Sequence, residues 1–130
     1  MNNTKAQSTI EFFSLVIFLF FFFLALTFGV HANISQKNKQ RVNLEIIDLA
    51  SSVKDEIDLA ASSTEGYQRE FILPTKIAGR DYEINITENT VYVRTSDGKF
   101  ATALPVLKIT GDVIKGQNKI SKSNDSIILN

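Results

Sequence analysis

The sequence predicts an α+β fold: a long N-terminal helix followed by a small antiparallel β domain, a sandwich or an open barrel. Three observations carry this. Phe12 to Val30 is an apolar run of 19 residues without a charged side chain. Val42, Ile46, Leu49, Val53, Ile57 and Ala60 then recur at three- and four-residue steps, the period of one helical face. After Gly66 the pattern changes to short alternating segments punctuated by Gly, Pro, Asn and Asp.

At about 1.5 Å of rise per residue, the apolar run makes roughly 30 Å of helix, the thickness of a bilayer's hydrocarbon core. Phe20, Phe21, Phe22 and Phe23 are consecutive and point in every direction around the axis. A helix apolar all round must be surrounded by lipid or by other helices. Ala25 and Gly29 add a small-xxx-small pair that permits close helix approach. Glu11 stands at the mouth of the run, where an unpaired carboxylate is costly. A discarded secretory signal fits poorly, because the run exceeds an ordinary apolar region and no Ala-x-Ala-like site follows it. A plain single-pass anchor accounts for the run but not for the acid.

His31 to Arg41 reads as a hydrophilic collar rich in Asn, Gln and Lys, and its single histidine as an interfacial residue. From Val42 the apolar stripe is backed by Glu45, Asp48, Ser52, Asp55 and Glu56, a solvated acidic face that Asp58 extends. Lys54 and Asp58 are spaced to pair across one turn. No proline interrupts the chain from Gln7 to Leu73, so one helix is expected from about Gln7 to Ser62, ended by Ser63-Thr64-Glu65-Gly66. The domain that follows is the nearest surface able to cover the stripe.

Strands are expected at Glu70–Leu73, Tyr82–Thr87, Thr90–Thr95, Phe100–Leu104, Val106–Thr110, Lys119–Lys122 and Ser126–Leu129. Glu88-Asn89, Asp97-Gly98 and Ser123-Asn124-Asp125 are the turn signals between them. The expected topology is an antiparallel meander. Its core draws on Phe71, Leu73, Tyr82, Ile84, Ile86, Val91, Val93, Leu104, Ile109, Val113, Ile120 and Ile128. The organisation is thus a leader at 1–6, an apolar helix at 7–30, its amphipathic continuation at 31–65 and a β head at 66–130.

Fourteen Lys and Arg balance 14 Asp and Glu, so no general affinity for nucleic acid is implied. Without cysteine there is neither a disulfide framework nor a thiolate zinc site. No paired carboxylates in a catalytic setting, Gly-rich phosphate loop or His/Cys cluster is present, so no enzyme, cofactor, metal or small-molecule substrate is expected. Asn33-Ile34-Ser35, Asn85-Ile86-Thr87 and Asn124-Asp125-Ser126 each fit the N-glycosylation pattern.

Lys5-Ala6-Gln7-Ser8-Thr9-Ile10-Glu11-Phe12, leading into the apolar run, resembles the processing region of archaeal type IV pilin-like proteins, whose leaders are class III signal peptides. The resemblance covers about 25 residues, with Ala6 in place of the commoner Gly and Thr9 in place of the commoner Ser. It implies cleavage by a prepilin peptidase between Ala6 and Gln7, with Lys5, Thr9 and Phe12 as motif context and Glu11 as the fifth mature residue. It further implies a membrane precursor with the β head outside, other pilin subunits as partners, and a mature place in a cell-surface filament. The counts of Lys and Arg alone point the other way: Lys5 precedes the apolar run, whereas Lys37, Lys39 and Arg41 follow it.

A physical reason for the spacing stands apart from the resemblance. Cleavage before Gln7 creates an α-amine of pKa about 8, one helical turn from Glu11. Pairing of amine and acid, within a subunit or between neighbours, neutralises both in an apolar setting. A membrane-anchored binding module that never polymerises shares every feature except the need for cleavage and for Glu11.

Overall fold

The computed structural model describes residues 3–130, with side chains from Gln7 onward apart from that of Ala32. The fold is α+β: one long N-terminal helix followed by a small, mainly antiparallel β domain of two sheets. The chain divides into two compact units, Met1–Lys39 and Gln40–Asn130.

Helix α1 spans Asn3–Ser62, so it begins earlier than the expected Gln7. Neither proline nor glycine stands between Asn3 and Gln7 to stop it, and once a helix is nucleated each added residue costs little. Its C-terminal end is built locally. The hydroxyls of Ser62 and Ser63 donate to the carbonyl of Leu59 at 3.0 and 2.6 Å. Gly66, at φ 84°, then turns the chain out of the helix.

Seven strands follow: β1 Gln68–Leu73, β2 Tyr82–Thr87, β3 Thr90–Thr95, β4 Ala101–Pro105, β5 Ile109–Gly111, β6 Gly116–Ser123 and β7 Ser126–Leu129. Only β2-β3-β4 is the expected meander; the other sheet has the order β1-β6-β7-β5. In it β1 pairs antiparallel with β6, from Gln68↔Ser121 to Leu73↔Gly116, closing about 50 residues of intervening chain. The expected return strand at Val106–Thr110 shrinks to Ile109–Gly111 and pairs with β7 in parallel, not antiparallel. Val106 is instead held outside a strand, its amide donating to the carbonyl of Asn89 at 2.8 Å.

Two hairpins follow the residues that license them. Glu88-Asn89 and Asn124-Asp125 both adopt positive φ, at 48° and 62° and at 50° and 57°, as two-residue turns between right-twisted strands require. At Asp97-Gly98 only the glycine does, at 69°. The Asp97 carboxylate serves as a cap, accepting from Thr95 Oγ1 at 2.6 Å and the Lys99 amide at 3.1 Å.

In the Gln40–Asn130 unit the amphipathic stripe is covered as expected. Val42, Ile46, Leu49, Val53, Ile57 and Ala60, with Ala50, join one core with Leu73, Ile77, Tyr82, Val91, Val93, Val106, Val113, Ile120, Ile127 and Leu129. Phe71, Ile84, Ile86, Leu104 and Ile109 pack against it while partly exposed. Ile128 corrects the expected core: it faces out, and Ile127 and Leu129 face in. Alternation in Ser-Ile-Ile-Leu sets Ile127 and Leu129 on one face and Ser126 and Ile128 on the other, and the wholly apolar face is the one that turns inward.

The acidic face of α1 is also corrected, because it is not simply solvated. Glu45 Oε2 accepts the Ala78 amide at 2.6 Å while Oε1 pairs with Arg41 at 2.8 Å. Glu56 lies 3.4 Å from Arg69 Nε on β1, an ion pair without a hydrogen bond. Asp48 and Asp55 are exposed, and Lys54 pairs with Asp58 at 2.6 Å as the spacing predicts.

Candidate functional site

The first candidate site is the N-terminal part of α1. From Phe12 to Val30 every residue is exposed, and the large apolar side chains among them range from 39% at Leu24 to 75% at Phe28. The core helix of a soluble domain would be mostly covered. This segment is long and apolar enough to cross a membrane, and none of it is buried among the described residues.

Glu11 sits on this helix with its carboxylate exposed. Gln7 Nε2 donates to Glu11 Oε1 at 3.5 Å, the outer limit of a hydrogen bond, across one turn. An amide carries no charge, so this contact does not neutralise the acid. The described ion pairs do not include Glu11. Ile10, Glu11, Ser14, Leu15 and Phe18 line one shallow hollow on the helix surface. Phe22, Ala25, Leu26, Gly29, Val30 and Asn33 line another. At Gly29 no heavy atom lies within 4 Å of where a Cβ would stand, so the Ala25/Gly29 notch is open.

No protein-family model, curated protein or solved structure matches this chain. The site therefore stands on its own residues.

The remaining motif residues are distributed as follows. Gln7, Thr9 and Phe12 are exposed on α1. The side chains of Lys5 and Ala6 lie outside the described residues, as do Met1 and Asn2 of the leader, so the cleavage dipeptide is described only in part. The three glycosylation triplets fall in different settings. Asn33 is helical and donates from Nδ2 to the carbonyl of Gly29 at 3.1 Å. Asn85 is exposed on β2. Asn124 is exposed in the β6–β7 turn, where its amide and that of Asp125 donate to Glu65 at 2.9 and 2.8 Å.

Charge in the head serves cohesion. Asp81 is held below the usual carboxylate range, first by Lys115 and then by the Tyr82 amide. Asp97 is lowered by the Thr95 hydroxyl and the Lys99 amide. Lys115 also lies over the Tyr82 ring, 4.9 Å from its centre, and the Tyr82 hydroxyl donates to the carbonyl of Pro74. Among the described residues, no group of three or more His, Asp and Glu is placed to hold a metal ion.

Sequence reasoning passed over Tyr92. It faces away from the core on β3, 40% exposed, directly across from Asn85 in the register of β2 and β3. The alternation Val91-in, Tyr92-out, Val93-in carries the signal, but its partner appears only once the hairpin register is known.

Proposed function

We propose that this protein is a structural subunit of a type IV pilus-like surface filament of an archaeon, cut before Gln7 and assembled through the first part of α1. The observation that carries this is Glu11, without a described cation, at the head of a helix whose whole circumference is apolar and exposed. Burying that circumference in a membrane first, and among neighbouring helices later, satisfies the hydrophobic surface in both states. An unpaired carboxylate opposes either burial unless a cation joins it.

Cleavage supplies that cation. The new α-amine at Gln7 is one turn from Glu11, and a neighbouring subunit staggered along the filament can bring its own amine to the same acid. The charge pair then limits which stagger is allowed, because any other register buries an unpaired ion. The β head lies outside the membrane and sets the subunit's external contacts. The prepilin peptidase and other pilin subunits are the partners this requires.

The test is the N-terminus of the protein in material sheared from cells. A mature chain beginning at Gln7 in the sheared fraction is the expected result. A chain beginning at Met1 or Asn2 that stays with the membrane fraction identifies a tethered, non-polymerising display module instead.

A further inference from the structure

We infer that Asn85 carries an N-linked glycan whose first sugar packs on the ring of Tyr92. This rests on the head facing outside, as proposed above, and on the register of one hairpin. Asn85 and Tyr92 are direct partners across β2 and β3. Directly opposed side chains have Cβ atoms about 4.5–5.5 Å apart, so a sugar on the asparagine amide starts beside the ring. Thr87, the third residue of the triplet, shares the outward face of β2 with Asn85.

The surroundings leave the ring open on that face. Tyr92 has Ala103 as its partner on β4, and Arg94 beside it has Ala101. The outward face of β4 carries only these two alanines and Pro105, which lies opposite Thr90, and the ring stays 40% exposed. Glu83 on β2 and Arg94 on β3 pair with each other at 2.6 Å. The C–H bonds on one face of a pyranose carry slight positive charge and suit the negative face of an aromatic ring.

The other two triplets lack this arrangement. Asn33 lies three residues past Val30, about 4.5 Å of helix rise beyond the apolar run, and its amide is bonded to Gly29. Asn124 is inside a turn, outside the strand register, with no ring set across from it.

The modification is a glycosyl transfer. Asn85 Nδ2 bonds to the anomeric carbon of a sugar carried on a lipid-linked phosphate or diphosphate, under a membrane transferase. The anomeric C–O bond breaks, the lipid phosphate leaves with the electron pair, and one amide proton goes to solvent. No oxidant or reductant is needed.

Trypsin cuts after Arg80 and Arg94, so the peptide 81–94 holds Asn85 and Tyr92 apart from the other two triplets. In protein taken from its own cells, that peptide is expected to carry the mass of one or more sugar residues. A bare 81–94 peptide overturns the inference, and does so without touching the filament proposal if the same chain begins at Gln7. A sugar on 81–94 in a chain beginning at Met1 upholds the glycan and removes the filament.

The role of Tyr92 is read from thermal unfolding of full-length chain made in the same cells. Asn85→Gln should lower Tm by about 4 °C, the lower end for a contact of this size in a small domain. In the Tyr92→Ala background the same change should lower it by less than about 1 °C, whereas Tyr92→Phe, which keeps the ring, should preserve the full effect. An equal loss in all three backgrounds overturns the stacking.

Discussion

Gly111 at the end of β5 packs directly on the backbone of Leu129 in β7. A Cβ at position 111 would fall on the Leu129 carbonyl oxygen, and φ is 101°, a conformation L side chains rarely adopt. The close approach belongs to the one parallel pairing in the head, Gly111↔Leu129. Both demands, positive φ and absence of a side chain, converge on this residue.

Gly111→Ala therefore destabilises the head by about 3 kcal/mol or more, combining backbone strain with a clash against main chain that cannot step aside. Gly98→Ala is the control: φ is 69° but nothing lies within 4 Å, so about 1 kcal/mol is expected. Urea unfolding followed by circular dichroism separates the two, and comparable midpoints would contradict the assigned pairing.

Lys122 connects β6 to the end of α1. Its Nζ donates to the carbonyls of Ala61 at 2.8 Å and Ser63 at 3.0 Å, with 13% of the side chain exposed. Lys122→Met keeps the stem and removes the donor, leaving helix-end carbonyls without their partner. A loss of about 1–3 kcal/mol is expected. Lys119→Met, on an exposed position of the same strand, should stay within about 0.5 kcal/mol. Were Lys119→Met the more damaging, the cap would not be holding the helix end.

The head should lose stability in acid, and the sign follows from its carboxylates. Glu45 is lowered by the Arg41 guanidinium, opposed by burial and aided by the Ala78 amide; Asp81 and Asp97 are lowered as described. Their ordinary values are 4.5 for Glu and 3.8 for Asp. A depressed folded pKa gives stability that is fully present above the unfolded value and lost as pH falls through the folded one. Midpoints should be level from neutral pH down to about 5 and fall below about 4, with Glu45→Gln removing part of the fall. A decline centred between pH 5 and 7 would mean that other groups control acid unfolding.

Glu11→Gln keeps the shape of the acid and removes its charge. If the acid–amine pair selects the stagger of subunits, the variant should be processed before Gln7 yet give at least tenfold less sheared filament, about 1.4 kcal/mol per contact. Filament yield is read by electron microscopy and immunoblot of the sheared fraction. Undiminished yield would show that register is set by the apolar surface alone.

Much of the architecture was legible because it is local. The stripe from Val42 to Ala60 repeats at the helical period and is buried at each of its six positions. Tyr82–Thr87 and Thr90–Thr95 alternate at the strand period and end at those residues in the structure. Their turn, Glu88-Asn89, joins neighbours in sequence, where little chain entropy opposes closure. The acid at position 11 was legible too, since charge within an apolar run needs no fold to be seen.

What escaped was non-local. The pairing of β1 with β6 and the parallel seating of β5 on β7 depend on partners distant in the sequence. Asn85 and Tyr92 were each visible as residues, but not as neighbours. By itself the sequence determined the long helix, the β2–β3 hairpin, which helical face is buried, and that the N-terminal helix presents an apolar surface. Tertiary structure alone decided how the strands are ordered, which carboxylates of the helix bind the head, and which side chains meet across the sheet. The division has one physical cause: periodicity and turn chemistry act within a few bonds, whereas strand order is settled only when distant segments compete for the same hydrogen bonds and the same core.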